Sequence, residues 1–134
     1  MEKIIVLTCL LILENITAFT SDNQNQAIAK CIQKTGVDES TVTRMGITLD
    51  IPDNSVVKKF LSCLNKKLGF QSDEGDMLFD NLRENLAGLS SEEVNSTVST
   101  CKQVKGTNSV ENSYLVTKCM FRKIKSIIKL KKRK

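Results

Sequence analysis

An all-helical domain of about six helices is predicted by three features of the sequence. Apolar residues recur at three- and four-residue spacing, capping residues alternate with stop glycines, and no stretch shows the strong apolar–polar alternation of a half-buried strand. The one proline, Pro52, falls between two of the periodic segments.

The elements follow in order. Asp22 is placed to cap a first helix through Ala27, Ile28, Cys31 and Ile32, stopped near Gly36. Asp38 opens a short second helix that ends at Gly46, with Val42 and Met45 on one side. After Pro52, Asp53 or Asn54 caps a third, whose apolar positions Val56, Val57, Phe60, Leu61, Leu64 and Leu68 keep helical spacing before Gly69. The acidic group Asp73, Glu74 and Asp76 precedes a fourth, carrying Met77, Leu78, Leu82 and Leu86 ahead of Gly88. Carboxylates at a helix start interact favourably with its dipole. That reading is preferred to a calcium loop, which needs more oxygen ligands at alternating positions. Ser90 and Glu93 form an S-x-x-E capping box for a fifth helix through Val94, Val98 and Cys101. Ser109 starts a sixth, with Val110, Tyr114, Leu115, Cys119, Met120, Phe121 and Ile124.

The N-terminus reads as a secretory signal over residues 1–20. Lys3 precedes an apolar run from Ile4 to Leu13, and the small residues Thr17, Ala18, Thr20 and Ser21 offer a cleavage zone between Ala18 and Ser21. The run is about half the ~20 residues that span a bilayer. The expected product is a secreted, extracellular protein: one helical domain over 21–129, then a basic tail over 130–134.

Cys9 leaves with that leader, and Cys31, Cys63, Cys101 and Cys119 remain. An even cysteine count in a small exported chain reads as disulfides, with three pairings open. Zinc is disfavoured because the chain has no His and no close Cys pair. No metal and no other cofactor is expected.

Charge is unevenly distributed. Eight of the basic residues lie between Arg122 and Lys134, so the preceding domain is mildly acidic and nucleic-acid binding is not expected. Without His, the usual general base is missing, and histidine-driven pH release is unavailable. With the cysteines oxidised and no apolar-walled carboxylate pair, the chain is read as a binding protein and not an enzyme. Several apolar helix faces in a small bundle suit an enclosed apolar site.

The cysteine spacing resembles that of the insect odorant-binding family, which has six. Aligned to that pattern, Lys59 and Val110 stand where the second and fifth cysteines would be, with successive gaps of 27, 3, 37, 8 and 8 residues. The segments Lys59-Phe60-Leu61-Ser62-Cys63-Leu64 and Val110-Glu111-Asn112-Ser113-Tyr114 resemble the family's third-helix and sixth-helix stretches. In that family the two missing cysteines bond to each other, so the chain resembles the reduced-cysteine, or minus-C, subgroup. The resemblance implies the bridges Cys31–Cys63 and Cys101–Cys119, and an expected looser wall where helices three and six lack theirs.

It also implies an extracellular carrier of a small apolar ligand such as an odorant or pheromone, with a chemosensory receptor as a further partner and a monomer or weak dimer as its state. The implied lining comes from helices three to six. Its candidates are Phe60, Leu64, Met77 and Leu82, followed by Val94, Val98, Tyr114, Leu115 and Phe121. Tyr114, the one tyrosine, has a hydroxyl able to orient a ligand's polar end.

Two features lie outside this pattern. Met120, Ile124, Ile127 and Ile128 fall at helical spacing, while Arg122, Lys123, Lys125, Lys129 and the run Lys131 to Lys134 are basic. This end is read as solvated; the alternative is a defence protein acting on anionic membranes through it. Asn95-Ser96-Thr97 is a glycosylation sequon inside the fifth helix, and is read as unused.

Overall fold

The computed structural model describes residues 17–132, apart from residue 87. Among the described residues six α-helices follow one another: α1 (Thr17–Thr35), α2 (Glu39–Thr48), α3 (Ser55–Lys67), α4 (Phe79–Glu84), α5 (Ser91–Cys101) and α6 (Ser109–Lys132). Most of the expected leader lies outside the described residues. The first helix already includes Thr17, ahead of Asp22, and no Pro or Gly interrupts it through Thr35. The sixth continues through Lys132, past the boundary drawn at residue 130.

Local capping explains several ends. The Asn54 side chain accepts the Val57 N–H at 2.9 Å and starts α3. At α5 the Ser90 hydroxyl accepts the Glu93 N–H at 3.1 Å, while the Glu93 carboxylate accepts the Ser90 N–H at 2.9 Å. Asn108 accepts the Glu111 N–H at 2.9 Å at the head of α6.

Two expected ends are corrected. Helix α2 passes through Gly46, which is buried, and stops at Leu49, whose left-handed φ of 60° directs its N–H to the Met45 carbonyl at 2.8 Å. Asp73, Glu74 and Asp76 do not open a helix. They lie in a turn closed by an isolated bridge between Gln71 and Met77, and α4 starts only at Phe79. Tertiary bonds hold this turn: the buried Gln71 amide donates to the Gly75 carbonyl at 2.9 Å and to the Ser109 carbonyl at 2.8 Å. Gly75 has φ +101° and packs so closely on Ser109 that a Cβ would stand 2.8 Å from the serine's own Cβ.

Cys31–Cys63 ties α1 to α3, and Cys101–Cys119 ties α5 to α6. With sequence separations of 32 and 18 residues, each closure is worth about 3–4 kcal/mol in the chain-entropy model. Two apolar clusters form around them. One joins Cys31 to Val57, Phe60 and Tyr114; the other joins Cys101 to Met77, Val116 and Met120. Helix α6 contributes to both, and so spans the molecule. Across its seam with α3, Lys58 pairs with Glu111 at 2.9 Å, and the Asn65 amide donates to Ser113 at 2.6 Å and to Thr117 at 3.0 Å.

Candidate ligand-binding cavity

Helix α6 repeats a residue every turn along one face. Val116, Met120, Ile124 and Ile128 border a part-enclosed cavity of about 500 Å³. Its other walls come from four helices and the loops after α3 and α4. Ile28 of α1 and Val42 and Met45 of α2 stand on one side, and Phe60 and Leu64 of α3 form another. Phe70 and Met77 from the α3–α4 connection, Leu82 of α4, and Leu86 and Leu89 complete the enclosure. Apolar sites for small ligands typically hold ~300–1,000 Å³.

Polar groups enter this wall at few points. Asn65 and Thr117 bond to each other at one of them. Lys131 and Lys132 form another, at the far end of α6. Among the described residues the wall contains no carboxylate. Beside the lysines, the Ser90 N–H and then the Lys131 ammonium, at 3.0 Å, hold the Glu93 carboxyl below the usual carboxylate range. No group of three His, Cys, Asp or Glu suited to a metal ion occurs among the described residues, nor does any helix there reach the length and apolarity needed to cross a membrane.

A model described as the PBP/GOBP family matches residues 14–123. The chain belongs to that family. Its fold matches solved insect odorant-binding proteins. A Locusta migratoria odorant-binding protein superposes with a TM-score of 0.69 at 22% identity, over 84% of this chain and 87% of its own. A protein of the blowfly Phormia regina, titled a fatty acid binding protein from the oral disk, gives 0.67 at 18% identity over 85% and 99%. A medfly odorant-binding protein gives 0.61 at 28% identity over 80% and 92%. No curated protein matches the chain by sequence with significance.

Within this PBP/GOBP-family chain, Phe60, Leu64, Met77, Leu82 and Phe121 border the cavity. The other four candidates lie elsewhere. Tyr114 does not border the cavity. Its ring is buried in the first cluster, 4.7 Å from the Lys58 ammonium and 5.3 Å from that of Lys118, and its hydroxyl accepts from Lys118 at 3.1 Å. Leu115 packs against the same cluster. Val98 is buried on α5, and Val94 is half-buried there.

Sequence reasoning passed over α1, α2 and the end of α6 as walls. The four-residue spacing of Met120, Ile124 and Ile128 was the available signal for α6; nothing local marks Met45 or Gly46. In the sequon, Asn95 accepts from Arg83 at 2.6 Å, and Thr97 is fully buried.

Proposed function

We propose that the protein is an extracellular carrier that holds a small apolar ligand in the cavity between α1, α2, α3, α4 and α6. The cavity wall carries this reading: it is predominantly aliphatic and aromatic, and its polar side chains are Gln24, the bonded pair Asn65 and Thr117, and Lys131 with Lys132. Covering such surface is worth about 25 cal/mol per Å² to an apolar molecule, and the preformed walls reduce the ordering that binding requires. Family membership and the titles of the neighbouring structures, which name odorant and fatty acid binding, support the same class of ligand.

The reading of the basic C-terminal helix as a membrane-active element is less well supported. Its apolar residues Ile124 and Ile128 turn toward the cavity, which leaves the exposed side to Arg122, Lys129 and Leu130. An amphipathic surface helix needs its apolar face free.

The test is displacement of N-phenylnaphthylamine from the oxidised chain by a series of neutral apolar ligands. Saturable one-to-one displacement that weakens in Leu82→Trp, whose larger indole would intrude on the space, is the expected result. Uptake that is non-saturable, or unchanged by Leu82→Trp, overturns the assignment of the ligand to this cavity.

A further inference from the structure

The cavity stripe of α6 changes character along its length. It is apolar at Val116, Met120, Ile124 and Ile128, then cationic at Lys131 and Lys132 in the last turn. From Val116 to Lys131 the helix rises about 22 Å. One wall therefore presents a long apolar surface that ends in two ammonium groups, the complement of a single-tailed molecule with an anionic head. The lysines lie beyond residue 123, where the family match ends. They belong to this chain's own C-terminal helix.

The region around them shows how such a head would be received. Lys131 reaches back to α5 and pairs with Glu93 at 3.0 Å. Among the described residues, Lys132 has no carboxylate within pairing distance, and no carboxylate lines the cavity. Both lysines also sit where cations complement the carbonyl end of a helix. That role would stabilise the fold without distinguishing one ligand from another.

We infer that Lys131 and Lys132 form a head-group subsite for a long-chain carboxylate, with the Glu93 carboxylate as the internal anion that competes for it. This rests on the carrier reading of the cavity and adds a specificity to it. The tail lies along Ile124 and Ile128, and the carboxylate meets the ammonium groups at the rim. Glu93 keeps Lys131 paired when no ligand is present.

The experiment compares myristate with methyl myristate as competitors for N-phenylnaphthylamine on the full chain at neutral pH and low salt. The ester has the same tail and no charge. Partly exposed ion pairs are worth about 0.2–1 kcal/mol each, so the two lysines together should favour myristate by about fivefold. Lys131→Gln with Lys132→Gln removes that preference, lowering myristate affinity about fivefold more than that of the ester. Glu93→Gln keeps the capping geometry, because Gln serves at that position of a capping box, and raises myristate affinity about threefold while leaving the ester as it was. Equal affinity for the two competitors in the parent chain overturns the subsite. So does equal loss of both ligands in the double variant, which would mark the lysines as structural. In either case ester binding to the parent chain leaves the carrier reading standing. Failure of both ligands to bind the parent chain removes both readings.

Discussion

Lys58 Nζ and Glu111 Oε2 stand 2.9 Å apart across the α3–α6 seam, and each is the immediate chain neighbour of a position, Lys59 or Val110, where the six-cysteine pattern would place a bridged cysteine. An ion pair thus joins the helices at the register where the related covalent link is missing. Glu111 and then Asp53, 3.2 Å from the same ammonium, hold the Lys58 amine above its ordinary value. Lys59→Cys with Val110→Cys should therefore close a third bridge on oxidation. Its expected gain is about 2–4 kcal/mol, seen as loss of free thiol together with a higher unfolding midpoint.

Ligand affinity should follow the cavity wall and not the seam. Phe121→Ala removes a bordering ring and should weaken a neutral ligand by about tenfold, the loss of one well-covered aromatic contact. Tyr114→Phe should leave that affinity unchanged, because the ring faces the first cluster and only the bond from Lys118 is lost. Probe displacement measures both.

Asn65 should matter more for stability than its size suggests. It is buried, and its amide satisfies the fully buried Ser113 hydroxyl at 2.6 Å. Asn65→Ala leaves that hydroxyl without its donor and should cost about 2 kcal/mol in urea unfolding.

These residues also show what the sequence made legible. Asn54, Ser90 and Glu93 announce their helices because a cap acts within one turn and needs nothing distant. The turn over residues 71–78 gave no comparable signal, since Gln71 secures it through Ser109, 38 positions away. The cavity was partly legible for a related reason. Periodicity marks the buried face of a helix but not whether that face meets a neighbour or a void. Phe60 and Tyr114 carry the same apolar signature, yet one borders open space and the other packs beneath two lysines.

Gly75→Ala tests that turn directly. The new methyl would approach Ser109 Cβ at 2.8 Å with φ held at +101°. Strained backbone of this kind costs about 1–3 kcal/mol before the clash is counted. A thermal melt should show a clear loss, and amide exchange should rise first at the start of α6.

Acid should weaken the Glu93 contacts in a defined direction. Its carboxyl titrates below the ordinary value of 4.5, so the stabilisation is fully present above that value and is lost as pH falls through the lower folded one. Glu93→Gln should flatten this part of the stability–pH curve, measured by urea midpoints from neutral pH downward.

Tyr114 has an optical consequence. The chain contains no Trp and no second Tyr, so this phenol dominates its native emission, and it lies between two ammonium groups on the seam rather than in the cavity wall. Intrinsic emission will report relative movement of α3 and α6 and remain silent to a cargo that enters without disturbing them. A titration that leaves this signal flat while displacing an external dye would show filling of a preformed space, and a parallel change in both would show that loading shifts the seam.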